Sequence, residues 1–317
     1  MKKKVILIVC ISVVALVVAA GVVALSLLGA FGYFTYKKID TIVTAPEVAQ
    51  DGSLVIMSAN IRRKEKWYST SKLDTGDHRW YKRADYYLQN IAAEQPDIFG
   101  AQEVQPGQYE FLTEHLVGYG SIVEYRDNKG SRSESCPIFY NEARFTLKEE
   151  ESGIFWLSET PDKMSISWKE KGEYRIATVA VLEDSVTGET IAAFNSHPDW
   201  EPEDARKEEI KVIAAKAAAM IEKGYKVIVF GDLNSDIHTA AGADSLASLE
   251  EVLDNAINIK HTDYGYTFNG YDIDPHEELD YFYLSEGTHV EELKKLDKTY
   301  DGVFASDHFP IYAKIKF

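Results

Sequence analysis

The chain has 317 residues, 45% of them hydrophobic and 12% aromatic, with a formal charge of −17. That is enough apolar material for one large packed domain or two average ones, and it excludes a disordered chain. With 51 acidic against 34 basic residues, the balance disfavours a protein that grips long duplex nucleic acid through a basic face.

At the amino terminus, Lys2, Lys3 and Lys4 precede a stretch from Val5 to Tyr36 with no charged residue. Its strongly apolar part, Val5 to Phe31, would reach about 40 Å as a helix, enough to cross a hydrocarbon core of about 30 Å. Residues 1–36 are therefore expected to be a cytoplasmic lysine cluster followed by one transmembrane helix. A cleaved signal peptide is the competing interpretation: its apolar region is normally about 7–15 residues, but Ala19-Ala20-Gly21 and Ala24 are small enough for a cleavage site. The lysines before the span, against Lys37 and Lys38 partly offset by Asp40, favour a single-pass membrane protein whose folded region lies outside the cytoplasm. Without residues 1–36 the chain keeps 31 basic and 51 acidic residues, a formal charge of −20. Cys10 falls in the span and Cys136 is the only cysteine beyond it, so no disulfide forms within the folded region.

Residues 37–52, KKIDTIVTAPEVAQDG, are expected to be a linker, and residues 53–317 one domain. SLVIMSAN and PDIFGAQE read as buried strands. Between them HRWYKRADYYLQNIAAE reads as an amphipathic helix with Trp80, Ala84, Tyr87, Leu88 and Ile91 on one side. RIATVAVLED and TIAAFNSH read as strands joined by the turn Ser185–Gly188. PEDARKEEIKVIAAKAAAMIEKG opens with acids and ends at Gly224, as a helix does. The strand KVIVFGD, a helix near Asp244 to Asn255, and the strands ELDYFYLS and HFPIYAKIKF complete an α/β alternation.

Polar residues gather at the ends of these strands: Asn60, Gln102-Glu103, His197 and Asp199, Asp232 and Asn234, and Ser306-Asp307-His308, with Asp280 inside ELDYFYLS. Strand ends are where loops place polar groups on a rigid support. Asp232 and Asn234 share a side by period-two spacing. Singly, each residue has an ordinary explanation as a turn, a cap or a core histidine. Together the order Asn, Gln-Glu, Asn-x-His-x-Asp, Gly-Asp-x-Asn, Leu-Asp-Tyr, Ser-Asp-His resembles the endonuclease/exonuclease/phosphatase family, and SCPIFYN, FWLSETPDK and RIATVAVL are similar to its bacterial, deadenylase-like branch.

The resemblance implies a four-layer α/β sandwich, two packed β-sheets flanked by helices, and phosphoester hydrolysis with Mg²⁺ or Mn²⁺. It implies Glu103 as principal metal ligand, with Asn60 and Asp307 completing the set. Asp232 would orient or deprotonate the attacking water, Asn234 would hold the phosphate, and His308 would act paired with Asp280. His197 would stabilise the phosphate in flight, and Arg175 would add a guanidinium donor. Oxygen donors suit these hard cations, and no Cys/His cluster suggests structural zinc. The expected substrate is a phosphoester, nucleic acid or a small phosphorylated molecule, with a nuclease or phosphodiesterase first. The alternatives are a phosphatase of a small nucleotide, sugar or inositol phosphate, a sphingomyelinase-like lipid phosphodiesterase, and a non-catalytic membrane-tethered binding module. No obligate protein partner is implied. One departure is His197-Pro198-Asp199-Trp200, whose proline and tryptophan are expected to reshape the substrate rim.

Overall fold

A computed structural model describes residues 2–27, 39–66, 68–168, 173–273 and 276–317. Helix α1 (Lys2–Leu27) is 26 residues long. Its side chains are described over residues 11–24, all exposed, Leu16 at 70% and Val17 at 66%. Taken over the described residues, no helix is long and apolar enough to cross a membrane. The described side chains of α1 cover 14 residues, about 21 Å at about 1.5 Å each. The end of the expected span, residues 28–36, lies outside the described residues.

The expected linker is not loose where it is described. Val43 and Thr44 pair in parallel with Leu116 and Val117, and Val43 is buried. The Thr41 hydroxyl donates to Asp85, and the Asn141 side chain donates to the Pro46 carbonyl at 2.9 Å. Spacing and polarity alone do not reveal that Val43 fills a core position beside Leu116.

Strands β1 (Leu54–Asn60), β2 (Ile98–Gln102), β3 (Tyr119–Ile122), β4 (Ile138–Asn141), β12 (His289–Lys295) and β13 (Ile311–Lys316) form one sheet, in the order β12-β13-β1-β2-β4-β3. Strands β5 (Phe145–Leu147), β6 (Gly153–Trp156), β7 (Ile176–Asp184), β8 (Thr190–Ser196), β9 (Lys226–Asp232), β10 (Asp254–Asn255) and β11 (Asp280–Leu284) form the other. Its order is β10-β11-β9-β8-β7-β5, with β6 also paired to β7. Each sheet has one parallel pair at its centre, β1 with β2 and β8 with β9, and antiparallel pairs around it. The parallel pairs end together, and the site lies at those carboxyl ends.

Alternation along each strand decides the layers. Leu54, Ile56, Ile98 and Ile138 face Ile191, Ala193, Ile228 and Phe230 across the gap between the sheets. Met57, Phe99 and Phe139 face outward, onto Trp80, Tyr87 and Leu88 of α2 (Trp80–Glu94) and Phe111 of α3 (Pro106–His115). Ala192, Phe194, Val227 and Val229 face the other way, onto Ile210, Ile213 and Ala217 of α4 (Glu203–Glu222) and Leu246 of α5 (Ala240–Glu250). Helices thus flank two packed sheets, as expected. At about 1.5–3 kcal/mol for each fully buried large side chain, these three interfaces hold the domain.

Two features pin one sheet to the other. A side chain at Gly100 would put its Cβ 2.2 Å from Phe230 and 2.6 Å from Asn195, so only glycine allows this approach. At the opposite end, buried Arg144 donates through Nε and Nη2 to Asp184 at 3.0 and 2.9 Å, and through Nη1 to the Ser53 carbonyl. Asp97 lies 3.6 Å from Nη1.

Candidate active site

Strand β1 delivers Asn60 and β2 delivers Glu103, while β8 and β9 deliver His197 and Asp232 from the facing sheet. Each side chain is less than a tenth exposed. The backbone turns left-handed at Arg62 (φ 54°), Glu103 (φ 61°) and Asn234 (φ 49°). Such non-glycine conformations cost of order 1–3 kcal/mol and gather at functional sites. Gly231 makes the exit of β9 feasible, because a Cβ there would fall 2.1 Å from the Ser196 carbonyl oxygen.

One carboxylate oxygen is the hub. Asp232 Oδ2 accepts from Asn60 Nδ2 at 2.9 Å, with His197 Nε2 at 3.5 Å and His308 Nε2 at 3.4 Å. Oδ1 accepts the Asn234 amide at 3.0 Å. Asp280 sits directly opposite Asp232 in the antiparallel register of β9 and β11, a placement in which like charges repel. His308 relieves the repulsion, its Nδ1 donating to Asp280 Oδ2 at 2.8 Å. Burial works against its charge, but Asp280 and Asp232 raise its pKa to about 10, making it an imidazolium. His197 goes the other way: burial pushes it down to about 4, against the pull of Asp232. Two histidines beside one carboxylate therefore hold opposite protonation states at neutral pH, and burial itself raises Asp232.

The His197 shift has a measurable consequence. Between its ordinary value of 6.5 and its folded value of about 4, the unfolded chain binds the extra proton, so stability rises with pH across this window. The contribution is complete above about pH 6.5 and is lost as pH falls through 4, on the order of 3 kcal/mol at 1.36 kcal/mol per pKa unit. Urea unfolding from pH 4 to 7 should show this slope in the wild type and a flatter one in His197→Asn.

Glu103 receives the Arg63 amide at 3.0 Å and Asn60 Nδ2 at 3.3 Å. Burial would raise its carboxyl, but Arg62, His197 and Arg63 hold it well below the usual range. Asp307 is reached through Arg62, whose Nη1 lies 3.3 Å from Asp307 Oδ2 while Nε donates to Asp74 at 3.2 Å. The expected ligands thus converge in part: Asn60 and Glu103 touch, and Asp307 is linked to them by a guanidinium.

The donor chemistry fits Mg²⁺ or Mn²⁺, with two carboxylates and a carboxamide, all hard oxygens. Asp307 Oδ2 is buried and accepts no hydrogen bond, and its charge is met by Arg62 Nη1 at 3.3 Å, so a cation held there would take over the place of that guanidinium. Asn60 presents its NH₂ to the carboxylates while its oxygen accepts the Arg62 amide at 2.9 Å, so ligation through oxygen requires the amide turned over. Asp232, Asp280 and His308 also lie within metal-ligating distance of one another, but His308 already bridges the two carboxylates.

Other expectations change. Period-two spacing does not continue past Asp232: Leu233 is buried, and the Asn234 side chain donates to the Pro198 carbonyl at 3.0 Å, tying two loops together. Gln102 is an inter-sheet strut, donating to Ser58 and to Asn195 at 3.1 and 2.6 Å. Asp199 is buried and accepts from Arg175 at 3.2 Å. Arg175 is itself buried, with Nε unpartnered, and lines a cleft of about 190 Å³ with Glu103, His197, Arg126, Glu134 and Cys136. Burial pushes the Cys136 thiol up to about 12, which keeps it un-ionised and removes it as a nucleophile. Trp200 stands at the rim, 62% exposed.

Four site residues escaped sequence reasoning: Arg62, Arg63, Arg126 and Glu134. Arg126 donates to Glu173 and pairs with Glu134 at 2.9 Å. The two arginines after Asn60 were visible as a doublet, whereas Arg126 and Glu134 sit in loops that no periodicity marks.

The sequence pattern of the endonuclease/exonuclease/phosphatase family matches residues 57–308, and this chain belongs to that family. Among solved structures, a family protein from Bacteroides thetaiotaomicron is 29% identical, with a TM-score of 0.71 over 83% of this chain and 94% of that one. A mannosyl-6-phosphatase from Bacteroides thetaiotaomicron is 28% identical, with a TM-score of 0.72 over 83% of this chain and all of the other. The Ccr4 exoribonuclease subunit of the CCR4-Not complex of Mycosarcoma maydis is 29% identical over 138 residues, 39% of this chain and 21% of that protein. An uncharacterized protein of Acanthamoeba polyphaga mimivirus is 29% identical over 165 residues, half of this chain and 60% of the other. The chain thus spans 21% and 60% of these two relatives, in each case less than two thirds. Metal-dependent phosphoester hydrolysis is the activity that this family membership indicates.

Proposed function

We propose that the chain is a membrane-anchored, Mg²⁺- or Mn²⁺-dependent phosphoesterase that hydrolyses small phosphorylated molecules by in-line attack of water. The observation that carries the catalytic part is Asp232 Oδ2, a single carboxylate oxygen with Asn60 at 2.9 Å, His308 at 3.4 Å and His197 at 3.5 Å. Glu103, Asn60 and Asp307 would hold the cation, which supplies Lewis-acid charge to a phosphoryl oxygen. Asp232 accepts the proton of the attacking water. The His308 imidazolium, fixed by Asp280, donates to a phosphoryl oxygen, and neutral His197 with Arg175 faces the charge that develops there. Asn234 holds the loop of Pro198 against the phosphate site.

A small substrate is favoured by the two buried guanidiniums of Arg126 and Arg175 that line the cleft, and by a formal charge of −20 outside residues 1–36. The likeness to the mannosyl-6-phosphatase runs in the same direction. The second choice, a nuclease or phosphodiesterase of the deadenylase-like branch, draws on the partial match to Ccr4. A panel of p-nitrophenyl phosphate, bis-p-nitrophenyl phosphate, sugar phosphates, mononucleotides, inositol phosphates, sphingomyelin and single-stranded RNA and DNA separates these readings. Arg126→Ala should lower kcat/KM for the monoester by about 10- to 100-fold, the worth of a charged hydrogen bond, and affect the diester less. Equal losses on both would favour the diesterase.

The anchor rests on α1, whose described side chains Ile11, Val13, Val14, Leu16, Val17 and Val18 are exposed around the whole helix. A helix apolar on every side is suited to lipid. With Lys2 to Lys4 in the cytoplasm the catalytic domain lies outside it. Protease digestion of intact cells should then remove the domain, and digestion only after lysis would refute this orientation.

A further inference from the structure

Beside the catalytic residues, and not needed by them, three side chains from three segments meet: His238 from the loop after β9, Asp263 after α6 (Ala256–Lys260), and Glu278 just before β11. One ligand atom of each lies within 4.8 Å of the others. His238 Nε2 and Glu278 Oε2 are 3.2 Å apart. Two ligands on one tetrahedral ion at bonds of about 2.0–2.2 Å sit roughly 3.4 Å apart, so this pair already has coordination spacing. Asp263 is exposed, and its Oδ1 accepts the Gly265 amide; to ligate, it would have to turn toward the pair.

The independent sign is Glu278. Its carboxyl is 2% exposed, and its Oε1 is buried with no hydrogen-bond partner. A carboxylate placed so, with one imidazole as its only side-chain partner among the described residues, leaves half its acceptor capacity unused at a desolvation cost that a cation would repay. Asp236 adds negative charge nearby.

We propose that His238, Asp263 and Glu278 form a second divalent-cation site, for an imidazole-preferring ion of the zinc type. Donor chemistry separates it from the catalytic set, because Asn60, Glu103 and Asp307 offer only oxygen, whereas an imidazole with two carboxylates selects zinc over magnesium. The site would tie the segment that follows Asp232 and Asn234 to the segment that leads into Asp280. Tyr281 already laces the same segments, donating to the Ser235 carbonyl at 2.8 Å and accepting the Ile237 amide at 3.1 Å.

The test is calorimetric titration of Zn²⁺ into the untagged full-length chain in detergent micelles with Mg²⁺ in excess, with thermal melting alongside. The wild type should bind one Zn²⁺ equivalent that His238→Ala and Asp263→Asn do not, and Glu103→Gln should keep it. Zn²⁺ should raise the Tm of the wild type and of Glu103→Gln but not of His238→Ala. His238 is 60% exposed, so its loss leaves the fold in place. Equal Zn²⁺ binding by wild type and His238→Ala would overturn the proposal, as would loss of the equivalent in Glu103→Gln with retention in His238→Ala. Because binding is read without turnover, the outcome is independent of whether the catalytic assignment holds.

Discussion

Asp232→Ala is expected to lower kcat for bis-p-nitrophenyl phosphate or p-nitrophenyl phosphate by about 10³-fold or more, within the range of a lost general base and its network. The size follows from what the one carboxylate does. Among the described residues it is the only group that touches Asn60 of one sheet and both histidines of the site, and burial has raised its proton affinity toward that of a useful base. Removing it also takes from His308 one of the three carboxylates, Asp280, Asp232 and Asp307, that sustain its charge. Asp232→Asn, whose carboxamide oxygen can still accept from Asn60 Nδ2 but which cannot take a proton, should be about as inactive. Glu103→Ala and His308→Ala should abolish activity as well, whereas Asp280→Asn should lower kcat while metal binding persists. Each variant must melt cooperatively for the comparison to count. Full turnover by purified, folded Asp232→Ala would sink the mechanism.

Arg144→Ala should cost about 3–5 kcal/mol of stability, measured by urea unfolding at pH 7, because it strips a buried ion pair of one partner. Asp184 would lose both of its guanidinium bonds, the Ser53 carbonyl its donor, and Asp97 its neighbouring cation, all inside the protein. Arg144→Lys restores charge but not the two-pronged geometry, and should recover only part of the loss. A shift under 1 kcal/mol would mean that water reaches Asp184 and that this end of the sandwich is held by packing alone.

The long elements were legible because their patterning is strong. Trp80, Ala84, Tyr87, Leu88 and Ile91 all fall on the buried side of α2, and β1, β2, β7, β8, β9 and β11 lie where the apolar runs are. Edge strand β12, HVEELKK, was not foreseen, since an edge strand open to solvent carries charges that mask its alternation. The candidate site residues were legible as a set, from Asn60 to His308, because each lies at or beside a strand end. Their wiring was not: that Arg62 stands between Asp307 and Glu103, or that Arg126 reaches the cleft from a loop, depends on which loops fold over the same strand ends. Nor does the sequence reveal that Asn234 turns its side chain to Pro198, because the left-handed backbone there breaks the strand period that would place it beside Asp232.

The docking of residues 39–46 onto the domain bears on where an anchored enzyme can work. With Val43 buried beside Leu116, this stretch would give no slack between bilayer and domain under the anchoring proposed above. Only residues 28–38 remain between the end of α1 and the docked segment, and whatever path they take, eleven residues extend at most about 40 Å. The enzyme would patrol a thin shell above the lipid, encountering substrates generated at or confined to that surface far more often than those in the bulk. Lengthening residues 28–38, with every catalytic residue intact, would thicken that shell and dilute the enzyme's access to them.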